Sequence, residues 1–307
     1  MPGLPTRQLG RTGFEATTLG FGAMELRGEP GGPAITDAEA ASVLNAVLDA
    51  GINLIDTSPD YGVSEDHIGK HIAHRRDEYF LASKCGCVPG APQGTDHLHT
   101  AENVRAGVEA SLRRMKTDHL DLVQFHRSLT RSEYEEQGAL QELLRLRDEG
   151  KVRFVGVSGT LPNLDEQVRM GVFDAFQVPY SAIQRDHEDV IHRASEAGAG
   201  IIIRGGAARG TPTDWEGRRY YMLPGSTPKD RWEAANLDQL LPDGMSRMEF
   251  TLRYTLSNPD LDTTIVGTRN PAHLRDNIEA AIKGPLDPAL VAEANRRLDA
   301  AGVTSAG

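Results

Sequence analysis

GINLIDTSPDYGVSEDHIG, residues 51–69, is the stretch from which the rest of the chain can be read. It opens on a short apolar run, 52–55, closes that run on Asp56, and places Tyr61 five residues later beside Pro59 and Gly62. The pattern is that of a buried strand opening onto a polar loop. An acid at the strand end and a phenol on the loop beyond it can face one cleft.

Outward from this stretch the same unit recurs. Upstream, 36–50 reads as a helix with Val43, Leu44, Val47 and Leu48 at helical spacing and Gly51 as its stop. A glycine-rich first strand, 18–24, precedes it. Before that, 6–17 forms two short segments around Arg11-Thr12-Gly13, a hairpin placed to plug one end of the fold. Downstream, strands are expected at 79–84, 120–126, 153–158, 175–180, 200–204 and 263–266. Helices are expected at 65–74, 101–115, 138–148, 164–170, 187–197, 245–257 and 271–281, with a last one, 287–300, outside the repeat.

Eight apolar strands alternating with helices favour a closed parallel (β/α)8 TIM barrel, an α/β fold, over the alternative of an open doubly wound sheet. The 307 residues suit one barrel domain, for which ~250 is typical, with a loop insertion at about 207–243. The net charge of -11 disfavours nucleic acid or an anionic membrane as partner. No apolar run approaches the ~20 residues of a membrane span, and MPGLPTRQLG lacks a secretory apolar core, so a soluble cytoplasmic protein is expected. Cys85 and Cys87 are the only cysteines and are expected as free thiols. With no CxxC pair and no HExxH helix, no metal is expected.

In a barrel of this kind, functional side chains come from the C-terminal ends of strands and the loops after them. Those ends carry Asp56 and Tyr61, then Lys84, then His126. Singly, each has an ordinary role: a helix cap, a half-buried ring, a snorkelling lysine, a core histidine. Together they suit proton transfer to a carbonyl oxygen as a hydride reaches its carbon. Lys84 is expected to lower the phenol's pKa by favouring its anion, Asp56 to keep the ammonium charged, and His126 to bond the substrate oxygen or pass the proton.

No GxGxxG follows the first strand, so a Rossmann cofactor site is not expected. The barrel's phosphate site instead falls on the loops after strands seven and eight. Here these are GGAARG, 205–210, with Gly206, Arg209 and Gly210, and GTRNP, 267–271, with Gly267, Thr268 and Arg269. Two glycine-rich turns with solvated arginines are the plain alternative. The insertion carries Trp215, Tyr220, Tyr221, Met222 and Trp232, which line an apolar substrate pocket or pack beneath the loop. Met24 and the 87–97 loop, including Cys87, are expected to border the same mouth.

The chain resembles the aldo-keto reductase family. The motifs are GINLIDTSPDYG, Ser83-Lys84, LDLVQFH at 120–126, VGVS at 155–158 and VGTRNPAHLRDN at 266–277, in family order along nearly the whole chain. The resemblance implies an (α/β)8 barrel, a nicotinamide cofactor, a small carbonyl substrate and no metal. It implies Tyr61 as general acid/base with Asp56, Lys84 and His126 as its partners. It further implies that Ser158 and Gln177 hydrogen-bond the nicotinamide amide and that Asn277 with Asp276 grips the adenine end.

Three positions depart from the family pattern. Gly159 stands where Asn is usual, so one amide contact is expected to be missing. Arg204 stands where many members have an aromatic ring, and its planar guanidinium is read as a substitute platform. Gly267 replaces a lysine common in NADPH-dependent members, leaving Arg269 to meet a 2'-phosphate; NADPH is expected, with NADH possible. Two rival readings are a Schiff-base lyase or aldolase using Lys84, and a cofactor-binding regulatory subunit without turnover.

Overall fold

The computed structural model describes residues 3–88, 91, 95–207 and 228–304. A hairpin, β1 (Thr6–Gln8) and β2 (Glu15–Thr17), leads into β3 (Leu19–Gly22). There follow α1 (Asp37–Asp49), β4 (Leu54–Asp56), α2 (Ser64–His71), β5 (Phe80–Cys85), α3 (Ala101–Met115) and β6 (Leu120–Phe125). The second half runs α4 (Arg131–Glu136), α5 (Ala139–Asp148), β7 (Val152–Ser158), α6 (Leu164–Met170), β8 (Ala175–Pro179), α7 (Glu188–Glu196) and β9 (Gly200–Arg204). It ends with α8 (Pro228–Ala234), α9 (Arg247–Leu256), β10 (Thr263–Val266), α10 (Pro271–Lys283) and α11 (Pro288–Ala300).

Strands β3 to β10 are all parallel and close on themselves, β10 pairing with both β9 and β3. The closure excludes the doubly wound alternative. Each strand alternates between two apolar environments. Leu54, Phe80, Ala82, Leu122, Ala175, Ile202 and Ile265 form one cluster inside the barrel. Ile55, Leu81, Val123, Val155, Phe176 and Ile201 belong to a second, larger cluster under the helices. Leu9 and Ala16 of the hairpin join the interior cluster, and the Arg11 amide bonds Gly198 O just before β9. The hairpin thus plugs the end at which the strands begin, leaving the opposite end for chemistry. Among the described residues, no helix is long and apolar enough to cross a membrane.

Candidate active site

Carried to the strand ends, the same alternation points polar side chains inward. Asp56 lies two residues beyond Leu54, Lys84 two beyond Ala82, Gln124 two beyond Leu122, and Gln177 two beyond Ala175. Lys84 is paired in register with Gln124, and Ser158 with Gln177. These groups meet in one layer above the apolar interior.

Lys84 is buried and donates from Nζ to Asp56 Oδ1 at 2.7 Å and to Thr57 O at 2.8 Å. Asp56 Oδ2 accepts from Gln124 Nε2 at 3.0 Å and from Gln177 Nε2 at 2.9 Å. The carboxylate is therefore met by one ammonium and two amides. Burial pulls the Lys84 pKa down, but Asp56 and then Tyr61 outweigh it and leave it raised, so the side chain is a cation.

The Tyr61 ring stands over that cation, with Lys84 Nζ 5.0 Å from its centre, and meets the His126 ring edge-on at 5.7 Å. Burial pushes the phenol pKa up, and the pull of Lys84 offsets this only in part. The expected net lowering is thus corrected: desolvation of the phenolate exceeds the attraction of one paired ammonium. His126 is held well below the usual imidazole range by burial and by Lys84, so it is neutral. Its Nδ1 lies 3.3 Å from Ser58 Oγ and 3.4 Å from Cys87 Sγ. Ser58 Oγ already accepts from the Asp60 amide, and burial pushes the Cys87 thiol up to about 11. Both neighbours can therefore donate to Nδ1, an arrangement that leaves the imidazole proton on Nε2.

Sequence reasoning did not single out Ser58, which sits in the quoted stretch, or Gln124, which lies two before His126 in LDLVQFH. Cys87, placed on the substrate mouth, is buried behind His126, and both cysteines are free thiols. Met24 is half-buried just after β3, at the same end of the barrel. Val63 and Leu98, at 43% and 45% exposed, are large apolar side chains left open to solvent, on loops beside Tyr61 and His97.

Ser158 Oγ donates to Gln177 Oε1 at 2.9 Å, so the pair expected to face a nicotinamide amide is joined to Asp56. Arg204 ends β9, reaches Gly159 O at 3.4 Å, and its charge is felt at both Tyr61 and His126. A Cβ at Gly159 would meet Ser128 Cβ at 2.8 Å, so no side chain fits there as the loops stand. Gly206 and Gly267 are also closely packed: a Cβ would meet Thr264 Oγ1 at 2.1 Å and Gly22 O at 2.6 Å, respectively.

Thr268 is buried and accepts from the Asn270 amide at the start of α10, and exposed Arg269 donates to Ala34 O at 2.8 Å. Asn277 faces the core side of α10, and Asp276 faces solvent. Arg209, Gly210, Trp215, Tyr220, Tyr221 and Met222 lie outside the described residues. Trp232 of the aromatic cluster is a core residue: fully buried, edge-on to Phe250 at 5.6 Å, its indole N–H bonded to Asp238 at 3.0 Å.

A family profile described as "Aldo/keto reductase family" matches residues 18–298. The chain is 31% identical over 284 residues to the aldo-keto reductase YhdN of Bacillus subtilis, covering 86% of this chain and 84% of that protein. It is 30% identical over 297 residues to the L-galactose dehydrogenase of Arabidopsis thaliana, covering 91% and 89%. Among solved structures, the holo form of an aldo-keto reductase from Bacillus halodurans matches with a TM-score of 0.81 at 27% identity, covering 99% of this chain and 97% of that one.

Proposed function

The chain belongs to the aldo/keto reductase family, and from that premise we propose that it reduces an aldehyde or ketone reversibly, with Tyr61 giving the proton. The observation that carries this reading is the buried Asp56–Lys84 pair beneath the Tyr61 ring. A phenol with a raised pKa stays protonated and ready to donate, while the fixed ammonium stabilises the phenolate left after transfer. Neutral His126, with its proton on Nε2, hydrogen-bonds the carbonyl oxygen and orients it toward Tyr61.

A nicotinamide cofactor would supply the hydride at this mouth. Two observations fit such a group: the hydrogen-bonded pair Ser158–Gln177 adjoins Asp56, and among the described residues buried His187 Nδ1, on the loop before α7 and within the field of Arg204, lacks a hydrogen-bond partner. Arg204 offers a planar face beside them, and Arg269 an exposed cation for a 2'-phosphate, which favours NADPH over NADH. Lys84 is held as an ammonium by Asp56, which argues against a Schiff-base role, since that nucleophile must be neutral.

The test is a panel of aldehydes, ketones and aldoses followed by NADPH absorbance. Aldoses are included because one relative is named an L-galactose dehydrogenase. Tyr61→Phe is expected to lower kcat by about 10²–10⁴-fold with cofactor binding retained. Full turnover in that variant, or no turnover of any carbonyl by the parent, would sink the reading. Comparing kcat/KM for the two cofactors decides the second point, and a clear preference for NADH counts against Arg269.

A further inference from the structure

Away from the catalytic mouth, α1 and α2 bring three metal-ligating side chains together. Asp37 is the first residue of α1, and His67 and His71 are four apart on α2, so they share one face of that helix. Asp37 Oδ1 lies 3.6 Å from His67 Nδ1 and 3.5 Å from His71 Nε2, and the three ligand atoms are all within 4.8 Å of one another. A tetrahedral Zn²⁺ bound by nitrogen and carboxylate oxygen at ~2.0–2.2 Å sets its ligand atoms about 3.4 Å apart. Two edges of that tetrahedron already stand near this length.

The surroundings also suit a cation. The two imidazoles stack at 5.7 Å with 9% and 12% of their side chains exposed, while Asp37 is 56% exposed and opens the group to solvent. Among the described residues, His71 Nε2, the nitrogen nearest Asp37, is buried without a hydrogen-bond partner, as is His67 Nε2. Lys70 already places an ammonium on Asp37 Oδ2 from a side chain 55% exposed.

We propose that Asp37, His67 and His71 form a binding site for a divalent transition-metal ion of the zinc type, in which the ion displaces the Lys70 ammonium into solvent. Two imidazoles and one carboxylate suit zinc, nickel or copper better than magnesium or calcium, and the remaining position is open to water. The ion ties the helix that follows the Tyr61 loop to α1. It is distinct from the expected reaction, which needs no metal.

The test titrates the full chain with Zn²⁺ against a chromophoric chelator and repeats the titration for four variants. One equivalent is expected to bind the parent. Asp37→Asn and His71→Ala are each expected to weaken binding by at least about tenfold, the effect of losing even an outer partner of a metal ligand. Lys70→Ala, at an exposed position that does not endanger folding, is expected to tighten binding by removing the competing cation. Failure of the parent to bind zinc overturns the proposal. So does binding that survives His71→Ala but is lost in His97→Ala, which puts the ion on the second group of donor atoms, Cys87, His97 and His126. Unchanged affinity in Lys70→Ala overturns the displacement even if the other variants misfold.

Discussion

A lysine with no solvent exposure must be neutralised where it stands, and among the described residues Asp56 is the acid paired with Lys84. Lys84→Met would leave the Asp56 carboxylate buried, with only the amides of Gln124 and Gln177 to satisfy it. We expect this variant to lose about 3–5 kcal/mol of stability as well as its turnover. Lys84→Met combined with Asp56→Leu removes both charges and is expected to recover much of the stability but none of the activity. Urea midpoints of the three proteins check this, and a single variant as stable as the parent would contradict it. The catalytic candidates were legible because period-two alternation along parallel strands fixes which side chains face inward, and Asp56, Lys84 and His126 sit at predicted strand ends. Gln124 was equally legible by that rule. Ser58 and Cys87 were not, because their contact with His126 joins three loops, after β4, β5 and β6, whose approach is set by the closed barrel.

Helix α2 couples the Tyr61 loop to the barrel wall, and its seat depends on a close approach to α3. A Cβ at Gly69 would meet Arg114 O at 1.9 Å, backbone that cannot move without moving α3. The same interface holds Glu65, which accepts from Ser83 Oγ of β5 at 2.7 Å and from Arg114 Nε at 2.7 Å. Gly69→Ala is therefore expected to cost at least about 1–3 kcal/mol despite its better helix propensity. A denaturant midpoint equal to the parent's would show that α2 can slide freely. Most elements matched their expected spans because the buried strands are continuous apolar runs. The short α4 was missed although Thr130 and Glu133 form a capping box, since six residues give no helical period to read. The His67–His71 spacing was also legible on a predicted helix, but its partner Asp37 comes from α1, and only the packing of the two helices joins them. Trp232 illustrates the converse: the aromatic cluster left open a substrate pocket or packing beneath the loop, and α8 with the bond to Asp238 makes this residue core.

The fold as a whole buries imidazoles in the neutral form, and this sets how its stability depends on pH. His99 is pushed down to about 4 by burial and by His97, His187 to about 4 by burial and by Arg204, and His126 well below its usual range. Unfolded, each titrates near 6.5. Between pH ~4 and ~6.5 the unfolded chain therefore binds more protons at these sites, and stability rises with pH. Asp262 acts in the opposite sense. Burial pushes it up to about 6 against the pull of the Ile201 amide and Arg7, so the folded chain holds that proton longer and stability falls as pH rises through the same window. Three imidazoles outweigh one carboxyl, so the net slope is positive, on the order of 1–2 kcal/mol per pH unit near pH 5 once the solvent still reaching His99 and His187 is discounted. Urea midpoints at pH 5, 6 and 7 are expected to climb in that order. Asp262→Asn removes the opposing titration and steepens the climb, while His187→Gln flattens it. A midpoint that is constant or falls from pH 5 to 7 would mean that these imidazoles are charged in the folded protein, and His126 could not then serve as the neutral donor proposed at the mouth.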